Sequence, residues 1–68
     1  MPMKIKTITG HSADCEARGL TQTVRIDFIN DARPGDYVMV HAGFAIEKMS
    51  EQEALDNMEL LEEIRNAL

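Results

Sequence analysis

The fold of this chain is decided by one apolar stretch near its middle, Asp36-Tyr37-Val38-Met39-Val40-His41-Ala42-Gly43-Phe44-Ala45. Successive side chains of an extended strand point to opposite faces, so Val38 and Val40 share one face with Ala42. Because β-branched side chains pack well on a pleated surface, we predict that this valine face is the core face. His41 then lies on the opposite face of the strand.

His41 is the residue of this stretch that carries chemistry, with Tyr37 and Met39 on its own face. Gly43 follows directly. Because glycine has no side chain, it permits a bulge, a positive φ or the close approach of another backbone at this position. A partner can reach an imidazole beside such a bare backbone. The spacing alone favours a hydrogen-bonded structural histidine over a binding one, and both interpretations stay open at this point.

The rest of the first 49 residues reads as further β-structure. Alternating or small residues predict strands over residues 3–9, 13–18, 20–29 and 44–49, separated by turns that contain glycine. Small residues in the second strand let it curl closely, as a tight barrel needs. Arg33-Pro34-Gly35-Asp36 has proline and glycine at the two central positions where a type II turn favours them.

The alternation also assigns residues to faces. In the first strand we predict one face from Met3, Ile5 and Thr7, with Lys4, Lys6 and Ile8 on the other. In the third strand Val24, Ile26 and Phe28 stand in register, and Phe44 and Ile46 are the expected core residues of the last strand. We therefore predict a mainly β fold, a small barrel of about five strands.

The end of the chain predicts a helix over residues 50–68. Ser50 and Glu53 form a capping box, in which the hydroxyl accepts a backbone N–H and the carboxylate reaches back. One apolar stripe follows at helical spacing; its members are Leu55, Met58, Leu61, Ile64 and Leu68. We expect the stripe to pack on the barrel, the alternative being a helix that waits for a partner. Residues 1–68 then form a single domain, with a β-barrel over 1–49.

Composition narrows the classes of function. A formal charge of −5 opposes binding to nucleic acid, whose phosphates call for a clustered basic surface. No run is long and apolar enough to span a membrane, and the start of the chain lacks a signal-peptide pattern. Cys15 is the only cysteine, so an internal disulfide is excluded and a reducing compartment is indicated. We predict a cytoplasmic protein.

Neither nucleophilic catalysis nor a self-contained metal site is supported by the sequence. Cys15 lies between Asp14 and Glu16, whose carboxylates raise a thiol pKa and suppress the thiolate. Its alternation with alanines predicts a small core residue. The two histidines, His11 and His41, fall in other elements, without the spacing of a metal motif. We therefore expect no enzyme activity and no stably bound cofactor.

Three segments of the chain resemble the HypC/HupF family of hydrogenase maturation chaperones: Gly35-Asp36-Tyr37-Val38, Val40-His41-Ala42-Gly43-Phe44-Ala45 and Pro2-Met3-Lys4-Ile5. The resemblance implies a barrel of the oligonucleotide-binding (OB) fold type with a C-terminal helix. It also implies a non-enzymatic role: helping to deliver iron that bears cyanide and carbon monoxide ligands to the precursor of the large subunit of nickel–iron hydrogenase. HypD is the other partner that the resemblance implies.

The chain departs from this family at its start. Family members resemble Met-Cys, two or three small or aliphatic residues, then proline, and their function depends most on that cysteine. Here Met1 is followed directly by Pro2, and Met1 takes the aliphatic position before the proline. Either the start has been placed too late or the chain is a divergent member without the thiol; we expect the former.

The resemblance also implies a site. Its partner-binding or iron-handling residues are Met1, Pro2, His41, Gly43 and Phe44, with Tyr37 and Met39 as further apolar contacts. His41 is the candidate metal ligand, in an iron site shared with a thiolate from the family's N-terminal segment and with groups on HypD. Iron is then held only transiently.

Two alternatives remain beside this interpretation. An OB-fold nucleic-acid-binding module is suggested by architecture, because such barrels bind single strands through aromatic platforms and a basic groove. The chain has one tyrosine, two phenylalanines and an acidic balance, which argues against it. The other alternative is an inactive relative that lost its thiol and kept a docking role.

Overall fold

The computed structural model describes residues 1–56, which form five β-strands and the first residues of a helix. The strands are β1 (Pro2–Thr9), β2 (Ser12–Ala17), β3 (Leu20–Arg25), β4 (Tyr37–His41) and β5 (Phe44–Met49). They close into a barrel in the order β1-β2-β3-β5-β4. Residues 51–56 are helical and are called α1. The predicted mainly β, OB-like barrel followed by a C-terminal helix is confirmed.

The barrel interior is filled by the inward-facing residues of all five strands. These are Met3, Ile5, Ala13, Cys15, Ala17, Val24, Val38, Val40 and Ala45, joined by Ile26 just after β3. Every inward residue of β2 is small, which allows that strand to curl against its neighbours. The predictions that Val38 and Val40 face the core and that Cys15 is a core residue are confirmed.

An extra residue in β1 reverses the faces in its second half. Ile5 pairs with Cys15 and Thr7 with Asp14, so Lys6 is a β-bulge without its own partner in β2. Thr7 consequently points to solvent, and Ile8 packs partly against the core. The prediction that Thr7 shares a face with Met3 and Ile5 is wrong.

β3 is shorter than its sequence pattern predicts. It ends at Arg25, and the chain then turns, with the amide of Ile29 donating to the carbonyl of Ile26 at 3.2 Å. Ile26 is still buried, but Phe28 is 66% exposed. The turn takes Phe28 out of register with Val24 and Ile26, so the prediction that these three residues stand in register is wrong.

β4 and β5 are joined by the two-residue turn Ala42-Gly43. Both residues have positive φ, 55° and 83°, as a type I′ turn requires. Ala42 therefore leaves the valine face on which it was predicted, and it is exposed. The turn sets His41 opposite Phe44 and Val40 opposite Ala45.

This register corrects the predicted core of β5. Directly opposed residues share a face, so Ala45 enters the core with Val40, and Phe44 lies outside with His41. Ile46 is the extra residue of a second bulge, because Val40 pairs with Ala45 and Met39 with Glu47. Phe44 is 38% and Ile46 49% exposed, so both predictions of core positions are wrong.

The predicted type II turn is confirmed. Gly35 has φ of 96°, and the amide of Asp36 donates to the carbonyl of Arg33 at 3.1 Å. The turn is fastened to β1, because Gly35 donates to the carbonyl of Ile5 and Ile5 donates to that of Asp36, both at 2.8 Å. The loop before β4 is therefore part of the barrel wall.

The predicted capping box is also confirmed. The amide of Glu53 donates to Oγ of Ser50 at 3.1 Å, and the amide of Ser50 donates to Oε1 of Glu53 at 3.3 Å. Ala54 is the residue of α1 that is buried, whereas Leu55 is 48% exposed. The other members of the predicted apolar stripe, and the predicted extent of the helix to residue 68, lie outside the described residues.

No helix within residues 1–56 is both long and apolar enough to cross a membrane. The cytoplasmic location that the single thiol indicates stays a prediction.

Candidate functional site

His41 is the last residue of β4 and stands at the mouth of the barrel. It is exposed, on the face opposite to the buried Val38 and Val40, as predicted. Its cross-strand neighbour is Phe44, which the two-residue turn places on the same outer face. The imidazole and an aromatic ring therefore stand side by side on the surface.

The start of the chain lies at the same end of the barrel. The amino group of Met1 donates to the carbonyl of Val40 at 2.7 Å and to Sδ of Met39 at 3.1 Å. The amide of Val40 in turn donates to the carbonyl of Met1 at 2.8 Å. Met1 is thus paired with the residue that directly precedes His41, and two of the predicted site residues are brought together.

Pro2 is part of the barrel wall. It opens β1, pairs with Met39 and is fully buried. A proline is suited to the first residue of a strand, since it has no N–H to donate to the sheet. Its contribution to the site is to fix the direction of Met1, and its predicted contact with a partner stays a prediction.

Gly43 has a conformational role that the structure defines. Its φ of 83° lies in the left-handed region that favours glycine. Apart from its two chain neighbours, no described residue has an atom within 4 Å of the place where a Cβ would stand, so packing does not require glycine here. That open space leaves the backbone after His41 accessible.

Phe44 belongs to an exposed aromatic pair. Its ring lies 5.5 Å from that of Phe28, centre to centre, with the two planes tilted by 39°. Sequence reasoning missed Phe28 as a surface residue, because its alternation with Val24 and Ile26 is that of a core position. No signal in the sequence marks the turn that exposes it.

Tyr37, a predicted apolar contact, lies at the other end of β4. It pairs with Met49, and the ammonium of Lys4 lies over its ring, 5.8 Å from the centroid. His41 lies four residues further along the extended strand, roughly 13 Å away. The structure therefore does not join Tyr37 to His41, whereas the half-buried Met39 contacts the amino group of Met1.

The charged groups beside the aromatic pair neutralise one another. The guanidinium of Arg25 donates to both carboxylate oxygens of Asp27, at 2.9 and 3.0 Å. This hydrogen bonding lowers the pKa of the Asp27 carboxyl and raises that of Arg25. His11, exposed in its turn as expected, approaches the same carboxylate at 3.9 Å.

Cys15 lies inside the barrel, away from the surface that carries His41. Its side chain is fully buried, and burial followed by the charge of Asp14 raises the pKa of the thiol. A protonated, enclosed thiol is a poor nucleophile and a poor ligand. Within residues 1–56 no three His, Cys, Asp or Glu side chains gather closely enough to hold a metal ion. His41 is a single donor.

The sequence matches the HupF/HypC family over residues 1–61. It is 35% identical over 65 residues to the hydrogenase maturation factor HypC of Azotobacter chroococcum mcd 1, covering 94% of this chain and 77% of that protein. To the HypC of Escherichia coli (strain K12) it is 31% identical over 68 residues, covering 91% and 76%.

A third relative, the HypC of Rhizobium leguminosarum bv. viciae, is 28% identical over 64 residues, covering 93% of this chain and 85% of that protein. The match spans the barrel and includes both the start of β1 and the turn after His41. The resemblance read from the sequence is confirmed. The chain belongs to the HupF/HypC family, whose members are hydrogenase maturation chaperones and not enzymes.

Proposed function

We propose that this chain is a chaperone of nickel–iron hydrogenase maturation that binds the precursor of the large subunit and HypD. It helps to pass iron bearing cyanide and carbon monoxide ligands from one to the other. The observation that carries the proposal is the exposed imidazole of His41 at the barrel mouth, beside the start of the chain. Such a surface can bind a partner and its iron cargo and release them again. Among residues 1–56, no group on this surface is arranged to make or break a covalent bond.

A shared ligand set suits a cargo that must be handed on. His41 offers one imidazole donor, and the family pattern offers a thiolate two or three residues before the position of Met1. That distance is roughly 7–10 Å of extended chain. Because Met1 pairs with Val40, a residue placed before Met1 in the same register falls opposite His41.

Thiolate and imidazole together are plausible donors to iron. Two donors leave the coordination of the iron incomplete, so groups on HypD complete it in one complex and groups on the precursor complete it in the next. The role of the barrel in this scheme is to hold the two donors at one edge.

The apolar residues around His41 supply the contact with a protein. Phe44 and Phe28 are exposed, and Met39 is half-buried beside the amino group of Met1. Aromatic and methionine side chains are typical of such contacts, and methionine adapts to more than one partner. A partner that contacts both His41 and Tyr37 must cover roughly 13 Å along β4.

The aromatic pair does not favour the nucleic-acid alternative. Single-strand-binding barrels combine aromatic platforms with a positively charged groove. Here the guanidinium beside the pair, that of Arg25, is held by Asp27, and the chain carries a net charge of −5. A protein partner therefore fits this surface better than phosphate does.

A binding experiment with two extended chains tests the proposal. One chain carries the family's Met-Cys segment before Met1, and the matched control carries Met-Ser in its place. We expect both to capture the large-subunit precursor and HypD, and only the cysteine form to retain iron in the complex. Failure of the cysteine form to bind either protein would remove the proposal, and equal iron retention by the two forms would remove the thiolate from it.

A further inference from the structure

The barrel closes between β3 and β5 at one position, and among residues 1–56 the rest of this β3 edge is open. This strand pairs with β2 over its whole length but meets β5 at a single position, Arg25 opposite Phe44. There the amide of Arg25 donates to the carbonyl of Gly43 at 3.0 Å. Residues two apart in a strand direct their backbone groups to the same edge, so Thr21 and Thr23 aim theirs outward on the Arg25 side. Within residues 1–56 these N–H and C=O groups have no partner.

Within β3 itself, the edge before Arg25 lacks the charge, proline or bulge that often protects an edge strand. Exposed edge strands are commonly blunted by charge, proline or a bulge. β3 has no charged side chain from Leu20 to Val24, and its pairing with β2 is regular throughout. Leu20 stands opposite the buried Ala17, on the core-facing side of the sheet, yet it is 65% exposed. An apolar side chain on that side is left without cover.

We propose that the open edge of β3 binds an extended segment of the protein partner as an additional β-strand. Main-chain hydrogen bonds to Thr21 and Thr23 give the affinity, as in other cases of strand addition. Because Arg25 is already bonded to Gly43, the added strand ends beside the turn that follows His41. The edge therefore guides a partner to the site, and the inference rests on the proposed function.

The charges near the edge indicate the kind of segment. Asp14 on β2 accepts hydrogen bonds from the hydroxyls of Thr23 and Thr7, at 3.1 and 3.3 Å, and Glu16 forms an ion pair with Lys6 at 3.6 Å. Because Lys6 balances the charge of Glu16, Asp14 is the carboxylate of this pair that an added strand meets, and neutral or basic outward side chains suit it. A second copy of the chain would bring a net charge of −5 against another −5.

Amide hydrogen exchange measured by NMR tests the inference without any substitution. In the free chain the amides of Thr21 and Thr23 exchange fast, whereas that of Gln22, which faces β2, exchanges slowly. On saturation with the large-subunit precursor or HypD, we expect the two threonine amides to slow by about ten-fold or more. Unchanged exchange in complexes with both proteins overturns the inference.

Amide exchange in the free chain shows whether the edge of β3 is covered by the chain itself or by a second copy of it. Slow exchange of Thr21 and Thr23 in the free chain at every dilution means that the chain covers its own edge. Protection that rises with concentration, together with a dimer in sedimentation, means that a second copy does. Either result overturns the proposal.

A backbone substitution gives an independent test. Thr21→Pro removes an N–H that points to the open edge, a position where proline is tolerated, and Thr21→Val keeps it. We expect Thr21→Pro to weaken partner binding about ten-fold or more and Thr21→Val to leave it within about two-fold. Equal affinities overturn the inference, and if Thr21→Pro fails to fold, the exchange measurement decides.

The two proposals fail in different ways. If the chain extended by the family's Met-Cys segment binds neither the precursor nor HypD, the proposed function is wrong and this inference falls with it. If the wild-type chain binds and Thr21→Pro binds equally well, only the edge of β3 is excluded.

Discussion

The turn that follows His41 holds an alanine in an unfavourable backbone conformation, and its relief is measurable. Ala42 has φ of 55° and Gly43 has φ of 83°. Type I′ turns strongly prefer asparagine followed by glycine, because asparagine tolerates the left-handed region. We predict that Ala42→Asn stabilises the folded chain.

The size of the gain follows from the geometry. A left-handed conformation costs an ordinary L-residue roughly 1–2 kcal/mol. Ala42 is exposed, so its replacement changes no core contact. If asparagine recovers about half of that cost, the free energy of unfolding rises by about 0.5–1 kcal/mol. For a domain of this length the midpoint of thermal unfolding then rises by about 2–8 °C.

Thermal and urea unfolding followed by circular dichroism measures the effect. Thr21→Asn is the control for asparagine itself, at an exposed strand position without positive φ; it should leave the midpoint unchanged or lower it. Gly43→Ala meets no atom within 4 Å, so it should cost about 1 kcal/mol through backbone strain alone. A neutral Ala42→Asn together with a neutral Gly43→Ala would refute the turn assignment.

Three further predictions concern the cap, the thiol and the surface ion pair. Ser50→Ala removes the side-chain acceptor for the amide of Glu53 and should lower stability by about 0.5–2 kcal/mol, measured by urea unfolding. Burial, and after it the charge of Asp14, raises the pKa of the Cys15 thiol. Above about pH 8.5 the folded state therefore keeps a proton that the unfolded state releases, so the free energy of unfolding should fall as pH rises. A Cys15→Ala chain should lack this fall. Hydrogen bonding from Arg25 lowers the pKa of the Asp27 carboxyl, so its NMR titration midpoint should lie below about 3.9 and rise in Arg25→Gln.

The barrel could be predicted from its strands, because alternation is a local property. Val38 and Val40 face inward, His41 faces outward, and β2 presents a small face to the core, all as the pattern indicates. The glycine and proline of the type II turn and the serine of the capping box also act locally. These features need no knowledge of which strands are neighbours.

The faces of β5 could not be predicted from alternation. They depend on the register across the hairpin, and that register depends on a turn whose first residue is an alanine in the left-handed region. Phe44 and Ile46 therefore looked like core residues. The bulge at Lys6 is equally invisible in the sequence, since nothing local marks one residue as the extra one.

The sequence singled out His41 and Met1, but it could not predict that they lie close together. His41 and Met1 share one edge because β1 and β4 are adjacent, which the order of segments in the sequence does not reveal. Phe28 lies against Phe44 because of a turn after β3, which the alternation of the sequence does not reveal. The open edge of β3 follows only from the pairing of whole strands.

The measurement that tests the central claim most directly is hydrogenase maturation in a cell that lacks its own HypC protein. The chain with the family's Met-Cys start is supplied as wild type, as His41→Ala and as His11→Ala. Both histidines are exposed, so neither change disturbs the core. We predict that His41→Ala lowers hydrogenase activity at least about ten-fold and that His11→Ala leaves it unchanged. Undiminished maturation with His41→Ala would contradict the account.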